Sequence, residues 1–302
     1  FFALALLVMV AGLGFALLTG GIPVPSFTLA NLHPKHLPAW PLIFITVSCG
    51  AVSGFHATQS PLMARCLKSE KHMRLVFYGA MISEGVIALV WSAAALGFHG
   101  GSEGLAAALA AGGPGGVVHD TCFATMGVAG GILAVLGVVV LPITSGDTAF
   151  RVGRLILADY FRVPQGRIGN RYKLAIPLFA LSLALNFVDF AIIWRYFGWA
   201  NQTLAAVALW CGAVFLARRR SRWWLAFGPA VFMTIVTTTY ILVEDVGFGL
   251  NPRLGTIIGI VAGVASAAYF LWMLPRLAPE EDKPAITGRP TDAERSADSL
   301  AC

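Results

Sequence analysis

Residues Trp40 to Pro61 read WPLIFITVSCGAVSGFHATQSP, and the second half of this stretch decides how the whole chain is understood. A helix rises about 1.5 Å per residue and the hydrocarbon core is about 30 Å thick, so a span begun at Trp40 needs roughly 20 residues. It is therefore still inside the bilayer when it meets Ser53, Gly54, His56, Thr58, Gln59, Ser60 and Pro61. Polar side chains and irregular backbone are tolerated at that depth where they face other helices or a water-filled cavity, so the rest of the chain is read as the scaffold of such a cavity. Gly54 and Pro61 both loosen a helix, Pro61 by lacking a donor and disfavouring helical geometry at Ser60. An interrupted span frees backbone groups to bind an anionic or zwitterionic substrate, which makes Ser53, Gly54, His56, Thr58, Gln59 and Ser60 candidate substrate-binding residues. The alternative is a kinked helix whose polar side chains tie neighbouring spans together, and His56 fits either reading.

Composition carries this outward to the whole chain. Of 302 residues, 57% are hydrophobic and only 12% are charged, and mean hydropathy is +0.76. Soluble domains carry about twice that share of charge, so this is an integral membrane protein. The net charge of +6 does not indicate nucleic acid, because the basic residues gather in short loops beside apolar runs, as orientation signals do. The five cysteines, at 49, 66, 122, 211 and 302, are scattered without metal-ligand spacing. No disulfide framework is expected from them. Residue 1 is Phe inside an apolar run, which reads as a truncated span of a longer protein.

Eight apolar runs are expected to cross the membrane: about 1–18, 40–61, 75–98, 122–143, 172–188, 199–217, 223–243 and 254–274. Arg65, Lys68, Lys71 and Arg74 follow the second run, six basic residues between Arg151 and Lys173 follow the fourth, and Arg218, Arg219, Arg220 and Arg222 follow the sixth. The intervening loops hold only Lys35, Arg195 and Arg253. Every second loop is basic, so the positive-inside rule places both ends of the chain in the cytoplasm. The expected fold is all-α and polytopic, with a membrane domain over 1–275 and a disordered cytoplasmic tail over 276–302. The outer segment 99–121, with AGGPGG at its centre, is expected to be a flexible excursion.

No HExxH, GxSxG, GxxxxGK[ST] or suitably placed GxGxxG occurs, so neither an enzyme nor a cofactor is indicated. Intramembrane polar groups remain. Glu84 lies ten residues past Arg74, about 15 Å into the third run, where an ionised carboxylate must pair, face water or hold a proton. It is either a proton-coupling carboxyl or a protonated glutamate bonded to a neighbouring helix. The fourth run ends in PITSGDTAFR, from Pro142 to Arg151, read as a second break that parallels the first and adds Thr144 and Ser145 to the substrate-binding candidates. Thr144 and Asp147 are spaced as N-cap and N3 of a following helix; Asp147 either couples an ion or caps that helix and pairs with Arg151. Around the outer hairpin, Asn201 could cap a helix, while Gly255, Gly259 and Gly263 form a small-residue face suited to a close helix contact.

Four stretches in order, SGFHATQSPLMAR, FYGAMISEG, LPITSGDTAFR and IWRYFGWANQTLA, resemble the carbon starvation protein A (CstA) family of inner-membrane transporters. The resemblance covers most of 40–245 and implies a bundle similar to the amino acid–polyamine–organocation superfamily. It also implies uptake of peptides or pyruvate during nutrient limitation, coupled to protons, across the bacterial plasma membrane. Family members are longer at the N-terminus, so further spans of the same protein are expected partners, besides the small-molecule substrate, protons and the lipid bilayer. The leading expectation is a secondary transporter, with Glu84 and Asp147 as proton-coupling candidates. The alternative is a nutrient-sensing membrane signalling protein in which the same cavity binds ligand and an Arg-rich cytoplasmic helix reports it.

Overall fold

Ala, Leu, Val and Ile dominate the apolar runs, and where no water competes for the backbone such runs close their own hydrogen bonds as helices. The computed structural model describes residues 2–24, 31–34, 37–47 and 52–277. Among them every regular element is helical: α1 Phe2–Leu18, α2 Ala39–Thr46, α3 Gly54–Cys66, α4 Ala80–Phe98, α5 Ser102–Tyr160, α6 Ile168–Leu185, α7 Phe190–Arg218, α8 Trp224–Val243 and α9 Pro252–Met273. A 3₁₀ turn at Glu70–His72 and a π-helical stretch at Arg74–Gly79 precede α4. Five of these segments are long and apolar enough to cross a membrane: Glu70–Phe98, Ser102–Tyr160, Ile192–Arg218, Trp224–Val243 and Pro252–Arg276. The protein is a polytopic helical membrane protein. Of the expected tail, 278–302 lies outside the described residues.

The segments differ from the eight expected runs in ways that have physical causes. In the run 40–61 the described residues form α2 and α3, with non-helical backbone at Val52 and Ser53, while 48–51 lie outside the described residues; the break expected between Gly54 and Pro61 does not occur, since helix α3 runs through both. The expected excursion 99–121 is helical from Ser102, because five alanines between 106 and 111, the strongest helix formers, outweigh the glycines that follow. The helical path is bent only where glycine takes left-handed φ, +63° at Gly113 and +64° at Gly127. The first bend comes one residue before Pro114, whose ring disfavours helical geometry at the residue ahead of it. Helix then continues through Pro142, Thr144, Ser145 and Asp147, so the second break expected at PITSGD does not occur and Thr144 is not an N-cap. Likewise 189–198 is the first part of α7 and not a loop. Cys122, which is buried, and Cys211, which is exposed, are free thiols, while Cys49 and Cys302 lie outside the described residues.

The chain divides into two compact units, one of residues 1–39 and 80–163, the other of 40–79 and 164–302. In the first, α1, α4 and α5 enclose Met9, Leu13, Ala94, Cys122 and Ala134, with Trp91, Val118 and Met126 packed around them. In the second, α7, α8 and α9 pack side by side and hold α2 and α3. Its core is Ile45, Ala206, Met233, Val236 and Tyr240. Indole N–H groups pin these helices: Trp199 donates to Thr237 O at 3.1 Å, Trp210 to Thr234 Oγ1 at 3.0 Å, and Trp40 to Thr256 Oγ1 at 3.3 Å. Arg195 pairs with Glu244 at 2.8 Å.

The small-residue face of α9 is a close helix contact, as expected. A Cβ on Gly255 would meet Val243, one on Gly259 would meet Thr239 Oγ1 and sit 3.0 Å from Ile235 O, and one on Gly263 would meet Ile235. Gly259→Leu is expected to cost about 3 kcal/mol, the upper end for overpacking, because carbonyl and amide atoms of α8 cannot rotate out of the way. Thermal unfolding of the detergent-purified protein checks this, and an unchanged midpoint would show that the two helices can separate freely.

Candidate functional site

The site is built where α2 stops and α3 starts. A helix end leaves backbone groups without intrahelical partners, and inside a membrane these must be met by protein. Ser53 is buried and serves as the N-cap of α3, accepting from His56 N at 3.4 Å. The neighbouring donor, Phe55 N, is taken by Asn201 of α7, whose Oδ1 accepts it at 2.7 Å and also accepts from Ser53 Oγ at 3.4 Å. The end of α2 is served by the next residue of α7: Gln202 Nε2 donates to Phe44 O at 2.9 Å. Two consecutive side-chain amides thus hold both ends of the interruption. They sit inside α7, 5% and 2% exposed, about 17 Å along the helix from Phe190.

Gly54 brings α3 against α7 at this point. A Cβ there would meet Asn201 O and come within 2.6 Å of Leu204 Cβ and 3.0 Å of Ala205 N. Thr58 Oγ1 donates to Phe55 O at 2.7 Å and Ser60 Oγ to His56 O at 2.8 Å. Their donors are spent within α3, and each hydroxyl keeps only acceptor capacity. Asn201 Nδ2, Gln202 Oε1 and Gln59 Nε2 are buried with no hydrogen-bond partner among the described residues, as is Thr239 Oγ1 of α8 in the same unit. The Asn201 and Gln59 nitrogens are amide donors and the Gln202 oxygen is a carbonyl acceptor.

The structure gathers Ser53, Gly54 and the backbone of His56 around Asn201, and leaves Thr58, Gln59 and Ser60 on the following turns of α3. The remaining candidates belong to the other unit. Glu84 is partly buried in α4. Thr144 and Ser145 are exposed within α5. Asp147, 70% exposed, pairs with Arg151 at 3.2 Å, the i,i+4 contact expected of it, but within a continuous helix instead of at a cap. No cluster of three or more metal-ligating side chains occurs among the described residues.

The sequence placed Asn201 beside an outer hairpin as a possible cap for a helix, because a span begun at residue 199 leaves it and Gln202 in the interfacial zone; the structure brings both amides to the interruption instead. With α7 running from Phe190 to Arg218 they lie well inside the helix, away from both of its ends. The signal available in the sequence was the pair of amides followed by an uninterrupted apolar run.

These residues, and Glu84 and Asp147, all fall within the segment matched by one family model, described as Carbon starvation protein CstA, over 1–101 and 92–240. The chain belongs to the CstA family. Over 262 residues it is 27% identical to the Peptide transporter CstA of Bacillus subtilis, which covers 70% of this chain and 44% of that protein. It is 49% identical over 120 residues to an uncharacterized protein of Haemophilus influenzae, covering 40% of this chain and 87% of that one. With the Pyruvate/proton symporter BtsT of Escherichia coli it shares 37% identity over 82 residues, 26% of this chain and 12% of the symporter. The chain therefore spans less than half the length of the curated transporters it matches. No solved structure matches it.

Proposed function

We propose that the chain is the helical core of a secondary transporter in the bacterial inner membrane. It takes up small anionic or zwitterionic nutrients such as peptides or pyruvate, coupled to protons, during nutrient limitation. The observation that carries this reading is the interrupted α2–α3 segment tied to α7 by Asn201 and Gln202, with buried amide atoms left over. A buried polar atom without a partner is disfavoured by about 1–3 kcal/mol, and a bound ligand that meets it removes that cost. The positive end of α3 and the Asn201 and Gln59 amides favour a carboxylate, and Gln202 Oε1 accepts from a donor group. The printed names of the relatives, a peptide transporter and a pyruvate/proton symporter, support the same substrate chemistry. The basic loops set both chain ends in the cytoplasm.

Glu84 is the proposed proton carrier, because an acid near the bilayer centre switches between neutral and charged forms as its surroundings change. The test is uptake of labelled pyruvate and dipeptides by vesicles containing the full-length protein, with and without a protonophore. Accumulation that collapses with the protonophore is expected. Failure to accumulate either substrate would overturn the substrate class. Glu84→Gln is expected to abolish proton-driven accumulation while leaving substrate exchange across the membrane; retained accumulation would assign the proton elsewhere.

A further inference from the structure

A second site lies at the other face of the α7–α9 group, independent of the helix interruption. The end of α7, the turn into α8 and the end of α9 surround a cavity of about 400 Å³ lined by Arg218, Arg220, Ser221, Trp223, Leu274 and Pro275, among others. Among the described residues, none of the lining side chains is acidic. We propose that this cavity binds the phosphate headgroup of an anionic phospholipid.

The turn is shaped to present cations. Arg220 N bonds Ala217 O and Ser221 N bonds Leu216 O at 2.9 Å, and this reversal puts Arg220 at φ +51°. A bulky residue is held there against its preference, in a position that glycine would fill at lower cost. Arg218 and Arg220 are exposed, and guanidinium groups match phosphate oxygens with paired N–H donors. Nearby cations are anchored on rings: the Arg219 guanidinium lies 4.7 Å from the Phe215 centroid and Arg276 lies 3.6 Å from the Trp272 centroid. Arginine and tryptophan together mark the level of the lipid headgroups. Helix C-termini favour nearby cations by themselves, which accounts for Arg218 at the end of α7. That effect does not call for an apolar wall beside the guanidinium groups, which Trp223, Leu274, Pro275 and Leu277 supply. The pairing of phosphate-binding and apolar surfaces fits an amphiphile better than a soluble anion.

The experiment is native mass spectrometry of the purified full chain equilibrated with mixed phosphatidylglycerol and phosphatidylcholine micelles, counting lipids retained on activation. Retention of phosphatidylglycerol over phosphatidylcholine is expected, with a loss of about 30-fold in R218Q/R220Q from the two cationic contacts. Arg253→Gln, at the opposite end of α9, should leave retention unchanged. Raising salt from about 0.1 M to about 1 M should weaken retention by the unsubstituted protein, which keeps the test decisive if the double variant does not fold. Equal retention of the two lipids, full retention by R218Q/R220Q, or retention indifferent to salt would each overturn the proposal. Displacement of the lipid by millimolar inorganic phosphate would also overturn it, reassigning the cavity to a soluble phosphate.

Discussion

Replacing Asn201 by alanine is expected to destabilise the protein by about 3 kcal/mol, the sum of a lost cap and a buried N–H left without an acceptor. The bond from Phe55 N to Asn201 Oδ1 is 2.7 Å long, and Ser53 Oγ leans on the same oxygen. The other side-chain acceptor described at that end of α3, Ser53 Oγ, already serves His56 N, and lipid offers none. Asn201→Asp separates the two roles proposed for the residue. Aspartate caps helices as well as asparagine does, and its charge lies at the positive end of α3, so folding should be largely retained. The Nδ2 donor is gone, however, and a carboxylate stands where an anionic ligand group would dock. Thermal unfolding near the parent value with uptake abolished is the expected result for the aspartate variant. Normal uptake would show that Asn201 only holds the helix.

Gly54→Ala carries the second large effect. The added methyl would run into the Asn201 carbonyl and crowd Leu204 Cβ at 2.6 Å and Ala205 N at 3.0 Å. Two of these are backbone atoms of α7, fixed by that helix's own hydrogen bonds, so relief requires α3 to move as a body. About 3 kcal/mol is expected, at the upper end for overpacking, with disruption of the Asn201 cap as a consequence. Gly146→Ala provides the contrast, since nothing lies within 4 Å of a Cβ at that helical position. There the substitution should raise stability by about 0.5–1 kcal/mol through helix propensity alone. Thermal unfolding of both variants measures the difference. Equal effects would mean that the α3–α7 approach is looser than the geometry indicates.

The two halves of the Trp40–Pro61 stretch illustrate what could be read in advance. The interruption was expected across the polar residues between Gly54 and Pro61, but these form continuous helix in α3, and the described non-helical backbone lies just ahead of them at Val52 and Ser53. What each polar residue of the stretch bonds to was not visible in the sequence. Thr58 and Ser60 turn back onto carbonyls of α3, while Ser53 caps its first turn. The same style of reading failed at PITSGD, where proline and small polar residues resemble a helix end yet remain inside α5. Local composition weighs breakers against formers, and in a nonpolar environment the demand for backbone hydrogen bonds carries the helix through.

Sequence alone determined that this is a polytopic helical membrane protein, because hydropathy, charge spacing and span length are properties of the chain taken one segment at a time. It also placed the small-residue face of α9, whose period is read within a single helix. Tertiary structure decided which residues meet at the start of α3 and the end of α2. Asn201 meets Phe55 across 146 residues and Gln202 meets Phe44 across 158, and no local pattern encodes which amide satisfies which broken helix end. Those pairings arise because buried backbone groups must find partners wherever packing brings them, so the residues that complete the interruption are known only once α7 lies beside it.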